Sequence, residues 1–344
     1  MCLLATCLLL AGTGCRGSGD QPRQQITLHL ERLPVQHAPE ARFDASLATD
    51  GRGGRVFLFG GRGEKGFLSD LWLFSPGNGG WRRLARAGDG PGGRSGASLV
   101  WDDRHDRLYL FGGWRADEFG QNHFLKELWT WKEDGGWNRE FFKDGPVGRA
   151  WQAAGYDAGS MLLIGGYAGQ GRYYLADAWR LDGEQLSFTR LITDGRTGIA
   201  GKPELLVFSG GRGMFLFGRA GWRVDTGTAA FFMLPQQDTW VRWNMSGMPP
   251  ADYSFCAGFP GLHALVVVKV LADDERQRAR AWLIRADSRT ATTLVPDAFP
   301  RLAQGMTCTP HPDGGPRDIC FGGVRRNQYS TDTWLVELLP GRTR

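Results

Sequence analysis

Apolar residues along the chain come in runs of five to eight that stop at Gly, Pro or Asp, and few stretches carry the 3.6-residue period of a long amphipathic helix. Such runs predict short β-strands. One run recurs with a glycine pair behind it: Val56-Phe57-Leu58-Phe59 before Gly60 and Gly61, Leu108-Tyr109-Leu110-Phe111 before Gly112 and Gly113, Met161-Leu162-Leu163-Ile164 before Gly165 and Gly166, and Ile319-Cys320-Phe321 before Gly322 and Gly323. The first glycines lie 52, 53 and 157 residues apart, and the last interval is about three times the others. Two more copies are therefore expected near 218 and 270. Met214-Phe215-Leu216-Phe217-Gly218 stands at the first, with Arg219 replacing the second glycine. Leu265-Val266-Val267-Val268 stands at the second, its pair lost. The chain reads as six units, two of them eroded.

Other positions keep the same beat. A strand carrying Trp follows the pair, as Trp72, Trp129, Trp179, Trp282 and Trp334, and an acid precedes four of these by two residues: Asp70, Glu127, Asp177 and Asp332. A further strand begins at Trp81, Trp137 and Trp240, with Phe188 in the third unit. Gly and Pro then lead to an Arg that opens the next unit. Each unit thus predicts four short antiparallel strands. In unit four the third strand has two readings, around Trp222 or around Phe231 and Phe232.

Gly pair, spaced Trp and Arg in register resemble the kelch repeat, each unit being one blade of a β-propeller. The resemblance covers residues 25–339 and implies an all-β fold, a six-bladed kelch-type propeller with four antiparallel strands per blade. The blades are expected at about 42–87, 94–143, 149–194, 201–247, 252–298, and 301–339 completed by 25–33. The last unit lacks a fourth strand, and Ile26-Thr27-Leu28-His29-Leu30 reads like one, so the N-terminal strand is expected to close the ring and leave no open edge.

Composition narrows the function. Glycine makes up 51 of 344 residues, but in pairs rather than a collagen period, and 42% hydrophobic residues suffice for a core. The net charge of +5 comes from 41 bases and 36 acids. The bases are mostly scattered Arg, not the stripe a nucleic-acid binder needs. No apolar run reaches 18 residues, so membrane contact is expected only through an N-terminal lipid.

Leu3 to Ala11 form an apolar run followed by Gly14, Cys15 and a polar stretch. The segment resembles a signal peptide with a bacterial lipobox at 1–15 and a tether at 16–24, with Cys15 as the lipidated residue; an ordinary cleaved signal is the alternative. No base precedes the run, which points to a translation start upstream. An exported, envelope-facing location follows. Beyond this segment lie Cys256, Cys308 and Cys320, without C-x-x-C, so no metal site is expected. Cys308 and Cys320 flank a turn centred on Gly314 and could pair across a hairpin.

Catalytic motifs are sparse. Gly61-Arg62-Gly63-Glu64-Lys65-Gly66 matches G-x-G-x-x-G, but a strand follows where a dinucleotide site needs a helix. The six histidines are scattered. What remains is one end of the ring, where strand alternation gathers the unit-opening Arg42, Arg94, Arg149 and Arg301 with the loops after the glycine pairs. The loops supply the candidate ligand face: Arg62, Trp114, Arg115, His123, Tyr167, Arg172, Tyr173, Arg219, Trp222, Arg325 and Tyr329. Guanidinium forks and aromatic faces suit carboxylates, phosphates or sugars. The unit-opening arginines read better as scaffolding. The expectation is a monomeric, non-catalytic binding module for a protein, peptide or glycan, with no cofactor. Families of similar propellers include copper radical oxidases, whose Tyr, Cys and His set cannot be placed here, and sialic-acid mutarotases. The latter give the alternative, a sugar-acid mutarotase or epimerase using Glu64, Asp117 or Glu118 beside an Arg.

Overall fold

The computed structural model describes residues 26–51, 53–169, 174–191, 199–207, 214–220, 228–233, 241–250, 252–271, 279–294 and 302–340. Among these there is no α-helix, only two three-residue 3-10 turns, and hence no helix long and apolar enough to cross a membrane.

The strands form six four-stranded antiparallel sheets, together with three short hairpins. Sheet one is Ser46–Asp50, Arg55–Phe59, Leu71–Ser75 and Gly80–Ala85. Sheets two and three repeat this order from Ser98–Asp102 and Ala153–Asp157, and sheets four and five from Ile199–Val207 and Phe255–Phe259. Sheet six takes Thr307–Pro310, Arg317–Phe321 and Thr333–Pro340 from the end of the chain. Its fourth strand is Ile26–Arg32, paired with Thr333–Pro340 from Ile26 opposite Pro340 to Arg32 opposite Trp334. In unit four the register selects the second reading: Phe231 lies opposite Leu216, as Trp72 lies opposite Leu58.

The first strands stand side by side, each against the next, with the sixth against the first. A repeated hydroxyl bond ties neighbours together. Ser46 Oγ donates to the Ala97 carbonyl at 2.7 Å, Ser98 Oγ to Gln152 at 3.2 Å, and Thr307 Oγ1 to Ala45 at 2.8 Å. The junction between sheets six and one is therefore made like the junction between one and two. The result is a β-propeller, a ring of sheets around a channel.

The core lies between sheets rather than at one centre. Successive side chains of a strand point to opposite faces, and in the second strands both faces are covered. Val56 and Leu58 pack with Ile319 and Phe321 of sheet six, while Phe57 and Phe59 pack with Leu99, Trp101, Leu108 and Leu110 of sheet two. This explains why the runs before the glycine pairs are apolar without alternation.

Candidate ligand face and central channel

Each glycine pair is demanded by the unit that follows it. The Arg94 carbonyl lies 2.8 Å from where a Cβ on Gly60 would stand, and Gly60 has φ +65°. The same carbonyl accepts from the Gly61 N–H at 2.9 Å. Gly113 and Gly323 repeat the bond with Arg149 and Arg42, each at 2.8 Å, so sheet six is tied to unit one in the same way.

The unit-opening arginines are interior scaffolding. Arg42, Arg94 and Arg149 are 0–1% exposed. Arg42 donates to Asp70 at 2.6 and 2.9 Å and to the Gly60 carbonyl at 2.9 Å. Arg149 repeats this with Asp177 and Gly165, and Arg94 with Glu127 and Gly112. The indoles of Trp72, Trp129 and Trp179 donate to the same acids. Burial alone would raise the Asp70 and Asp177 carboxyls, but their arginines outweigh it and hold both below the ordinary range. In unit six the structure corrects the expectation for Arg301. Gln304 bridges Val324 as Phe43 bridges Arg62, which puts Ala303 at the arginine position. Arg301 itself lies outside the described residues.

The residue two beyond each such position turns left-handed and forms the channel mouth. Asp44, Gly96, Trp151 and Gly305 all have positive φ. The Gly305 N–H donates to Ser254 O at 3.2 Å, Asp44 N–H to Gly305 O at 3.5 Å, Gly96 N–H to Asp44 O at 3.0 Å, and Trp151 N–H to Gly96 O at 2.8 Å. These bonds form a girdle around the opening. The Trp151 indole lies over Gly96 and donates from Nε1 to Asp44 Oδ2 at 2.9 Å, spanning from unit three to unit one.

Three glycine-pair loops are small hairpins: Arg62–Gly63 with Gly66–Phe67, Trp114–Ala116 with Asn122–Phe124, and Val324–Arg325 with Gln328–Tyr329. The first contains the G-x-G-x-x-G match, which is a tight turn. Aromatics of the first two hairpins run in a file with Trp151, Tyr167 and Tyr174. The rings of Phe67 and Trp114 are 4.9 Å apart, Trp114 and Trp151 5.8 Å, Trp151 and Tyr167 6.2 Å, and Tyr167 and Tyr174 5.6 Å. Trp114, Trp151, Tyr167 and Tyr174 are half-buried, and the Trp114 indole N–H is buried without a hydrogen-bond partner. Tyr329 stacks on Phe43 at 5.6 Å, Arg62 lies over Phe67, and Arg115 is exposed opposite His123. Arg325 lies opposite Gln328 in its hairpin. Arg219 sits in Met214–Ala220 opposite Thr228. Arg172, Tyr173, Trp222, Trp240 and Cys15 lie outside the described residues.

Sequence reasoning placed Trp114 and Tyr167 together but missed Trp151, which joins them. The signal was present: a Trp in none of the packing columns, two residues after a buried Arg. Of the acids, Asp117 is committed to its own hairpin. It accepts from His123 Nε2 at 2.8 Å and from the Phe119 and Gln121 N–H groups, and the His123 bond above all holds its carboxyl below the ordinary range. Glu64 and Glu118 are exposed.

The channel encloses about 1050 Å³. At the end away from the glycine pairs, Asp102 clips sheet two to sheet three. It accepts from Tyr109 at 2.8 Å, His105 Nδ1 at 2.7 Å, and Tyr156. Burial pushes the Asp102 carboxyl up, but these hydrogen bonds prevail and hold it at about 2. Cys308 and Cys320 lie directly opposite each other and form a disulfide in sheet six, with Cys256 buried in sheet five.

The sequence profile of the KLHDC2/KLHL20/DRC7 Kelch-repeats domain matches residues 24–218. Among solved structures, that of YjhT superposes with a TM-score of 0.67, covering 89% of this chain and 99% of its own at 14% sequence identity. That is a likeness of fold. No curated protein matches the chain significantly in sequence.

Proposed function

Because the chain belongs to the KLHDC2/KLHL20/DRC7 kelch-repeat family, we propose that it is a non-catalytic binding module, a six-bladed propeller that grips a protein, peptide or glycan on its glycine-pair face. The observation that carries this reading is the aromatic file from Phe67 through Trp114, Trp151 and Tyr167 to Tyr174. Phe67 and Trp114 sit on hairpins of differing length, Tyr167 follows the third glycine pair and Trp151 lines the channel mouth. The file is thus built from loops over a rigid scaffold, the arrangement in which binding residues are usually found. Half-exposed aromatic rings suit the faces of sugars and of extended side chains. The exposed Arg62 and Arg115 beside the file favour a ligand with acidic groups.

A binding role is preferred to a sugar-acid mutarotase because the acids of this face are poorly placed for proton transfer. Asp117 is held by its own hairpin, and Glu64 and Glu118 stand in open solvent. The scattered bases favour neither nucleic acid nor a membrane surface.

Cys15 and the apolar run before it support a lipid-anchored location in a bacterial envelope, with 16–24 as a tether. Detergent partitioning of the intact protein, abolished by Cys15→Ser, tests the anchor. A peptide and glycan array probed with residues 25–344 tests the face, with Trp114→Ala as the control. Retained array binding by Trp114→Ala would overturn the assignment of the aromatic file.

A further inference from the structure

The fourth residue before the first glycine of each unit occupies one repeated place in the second strand. In five units it is apolar: Val56, Leu108, Met161, Met214 and, where the pair is lost, the equivalent Leu265. These side chains are 0–4% exposed. Unit six has Asp318 there, 0% exposed. The register is the same throughout, Thr49 opposite Val56 matching Gly258 opposite Leu265 and Pro310 opposite Asp318. Five units show that the fold needs only a hydrophobe at this place.

A carboxyl buried this way destabilises the protein unless its oxygens are satisfied. Here one oxygen is. The Gly258 N–H of sheet five donates to Asp318 Oδ2 at 2.7 Å, while Oδ1 is buried with no hydrogen-bond partner. Asp318 and Gly258 both form part of the channel wall. On the other face of sheet six, toward sheet one, the Thr49 hydroxyl lies 3.0 Å from that of Thr309 and donates to the Pro310 carbonyl. The charges around this end of the channel are lopsided. Among the described lining residues, Asp103, Asp157 and Asp313 accompany Asp318, against Arg104 and His311, and Asp313 is itself paired with Arg317. His311 is 2.7 Å from Asp313, and Arg104 lies 3.8 Å from Glu184, so neither base is directed at Asp318. The protein as a whole carries +5.

We propose that the half of the channel farthest from the glycine pairs binds a small ammonium-bearing ligand, a primary amine or diamine, with Asp318 as its anchor. An ammonium group brings the countercharge that the buried carboxyl lacks and a donor for Oδ1. A neutral polyol could supply a hydrogen bond but no countercharge. The Trp151–Asp44 bond spans the opposite mouth, so entry is from the rim that carries Asp157 and Asp313. The site is separate from the aromatic face, and neither reading depends on the other.

Isothermal titration of the protein with butane-1,4-diamine and with its neutral isostere butane-1,4-diol tests the proposal. The diamine should bind at least tenfold more tightly than the diol. Asp318→Asn should weaken diamine binding at least tenfold, and Asp318→Leu, which restores the residue type of the other units, should abolish it. Asp157→Asn controls for attraction by the rim acids and should weaken binding less than Asp318→Asn does. The proposal is overturned if diol and diamine bind alike, if the diamine does not bind at millimolar concentration, or if Asp318→Asn binds it like wild type. Should Asp318→Leu fail to fold, the near-isosteric Asn variant still decides.

Discussion

Arg32 donates to Asp332 across 2.6 Å, joining the strand nearest the N-terminus to the acid of the last unit. In units one to three the equivalent acid is held by a buried arginine of its own unit. Unit six has Ala303 there, and the ion pair comes instead from the closing strand. The replacement is weaker, because the Arg32 side chain is 65% exposed. Arg32→Ala should therefore cost under about 1 kcal/mol in urea unfolding. The strand as a whole matters far more, since it carries buried Leu28 and seven paired residues. A chain beginning at Ala38 should unfold at lower temperature and self-associate through the bare edge of Thr333–Pro340. A monomeric truncation with unchanged melting would contradict the closure.

Arg94 and Trp114 should separate stability from binding. Removing the Arg94 guanidinium takes away the shortest ionic partner of Glu127, leaving it the Trp129 indole and Arg139, and leaves the Gly112 carbonyl without its donor, so Arg94→Ala should destabilise by about 3 kcal/mol. Trp114→Ala should barely change the denaturation midpoint while weakening the array ligand about thirtyfold, or about 2 kcal/mol. Trp72→Ala belongs with Arg94, losing stability through packing and the Asp70 bond. The reverse pattern for Arg94 and Trp114 would move the site from the aromatics to the arginines.

The repeat was readable because packing and backbone geometry impose it in sequence. The Gly60 and Gly112 pairs recur because a neighbouring carbonyl occupies the Cβ position, and Trp72, Trp129 and Trp179 recur because each indole donates to an acid two residues earlier. Where the columns erode, residue type alone misleads. Trp222 competed with Phe231 for unit four, and Arg301 stood near the place that the bridge from Gln304 to Val324 gives to Ala303. Trp151 escaped notice because its role needs a left-handed backbone that carries the indole across to Asp44. Asp318 escaped because an acid before a glycine pair reads as ordinary until the register sets it in line with Val56 and Leu108.

The arginine-held carboxyls give the protein an acid limit. Asp70 and Asp177 have folded-state pKa values below their unfolded ones, so their contribution is present at neutral pH and lost as pH falls from about 4 through the folded values. Stability measured by urea unfolding should fall over that window. Asp70→Asn/Asp177→Asn should be less stable than wild type at pH 6, and the gap should narrow by pH 2.5. A gap independent of pH would mean that these carboxylates are not held by charge.

The Cys308–Cys320 disulfide closes a short loop within sheet six, with a sequence separation of 12 residues. Loop closure on this scale stabilises by about 2–3 kcal/mol, so Cys308→Ser/Cys320→Ser should lower the urea midpoint accordingly. Thiol labelling of the denatured protein from residue 25 onward should find one thiol, Cys256, before reduction and three after it. Three thiols in unreduced protein would exclude the bond.

Asp318 reverses the sign of the acid effect. Burial raises its carboxyl well above the ordinary value, and the single Gly258 bond does not compensate. A group whose folded pKa exceeds its unfolded one contributes most below about pH 4, and that contribution is lost as pH rises toward the folded value. The slope is at most about 1.4 kcal/mol per pH unit. Asp318→Asn keeps an oxygen for the Gly258 N–H but binds no proton in either state. The variant should thus match wild type near pH 4 and become progressively more stable than wild type between pH 5 and 8. The measurement is the difference in urea midpoint at each pH, taken without amine buffers, because an ammonium ligand in the channel would stabilise wild type alone. Adding millimolar butane-1,4-diamine should shrink the difference at pH 8, where the unliganded carboxyl costs most. A difference that stayed flat across pH would show that Asp318 is ionised in the folded protein with its charge already balanced, and the channel would lose its anchor.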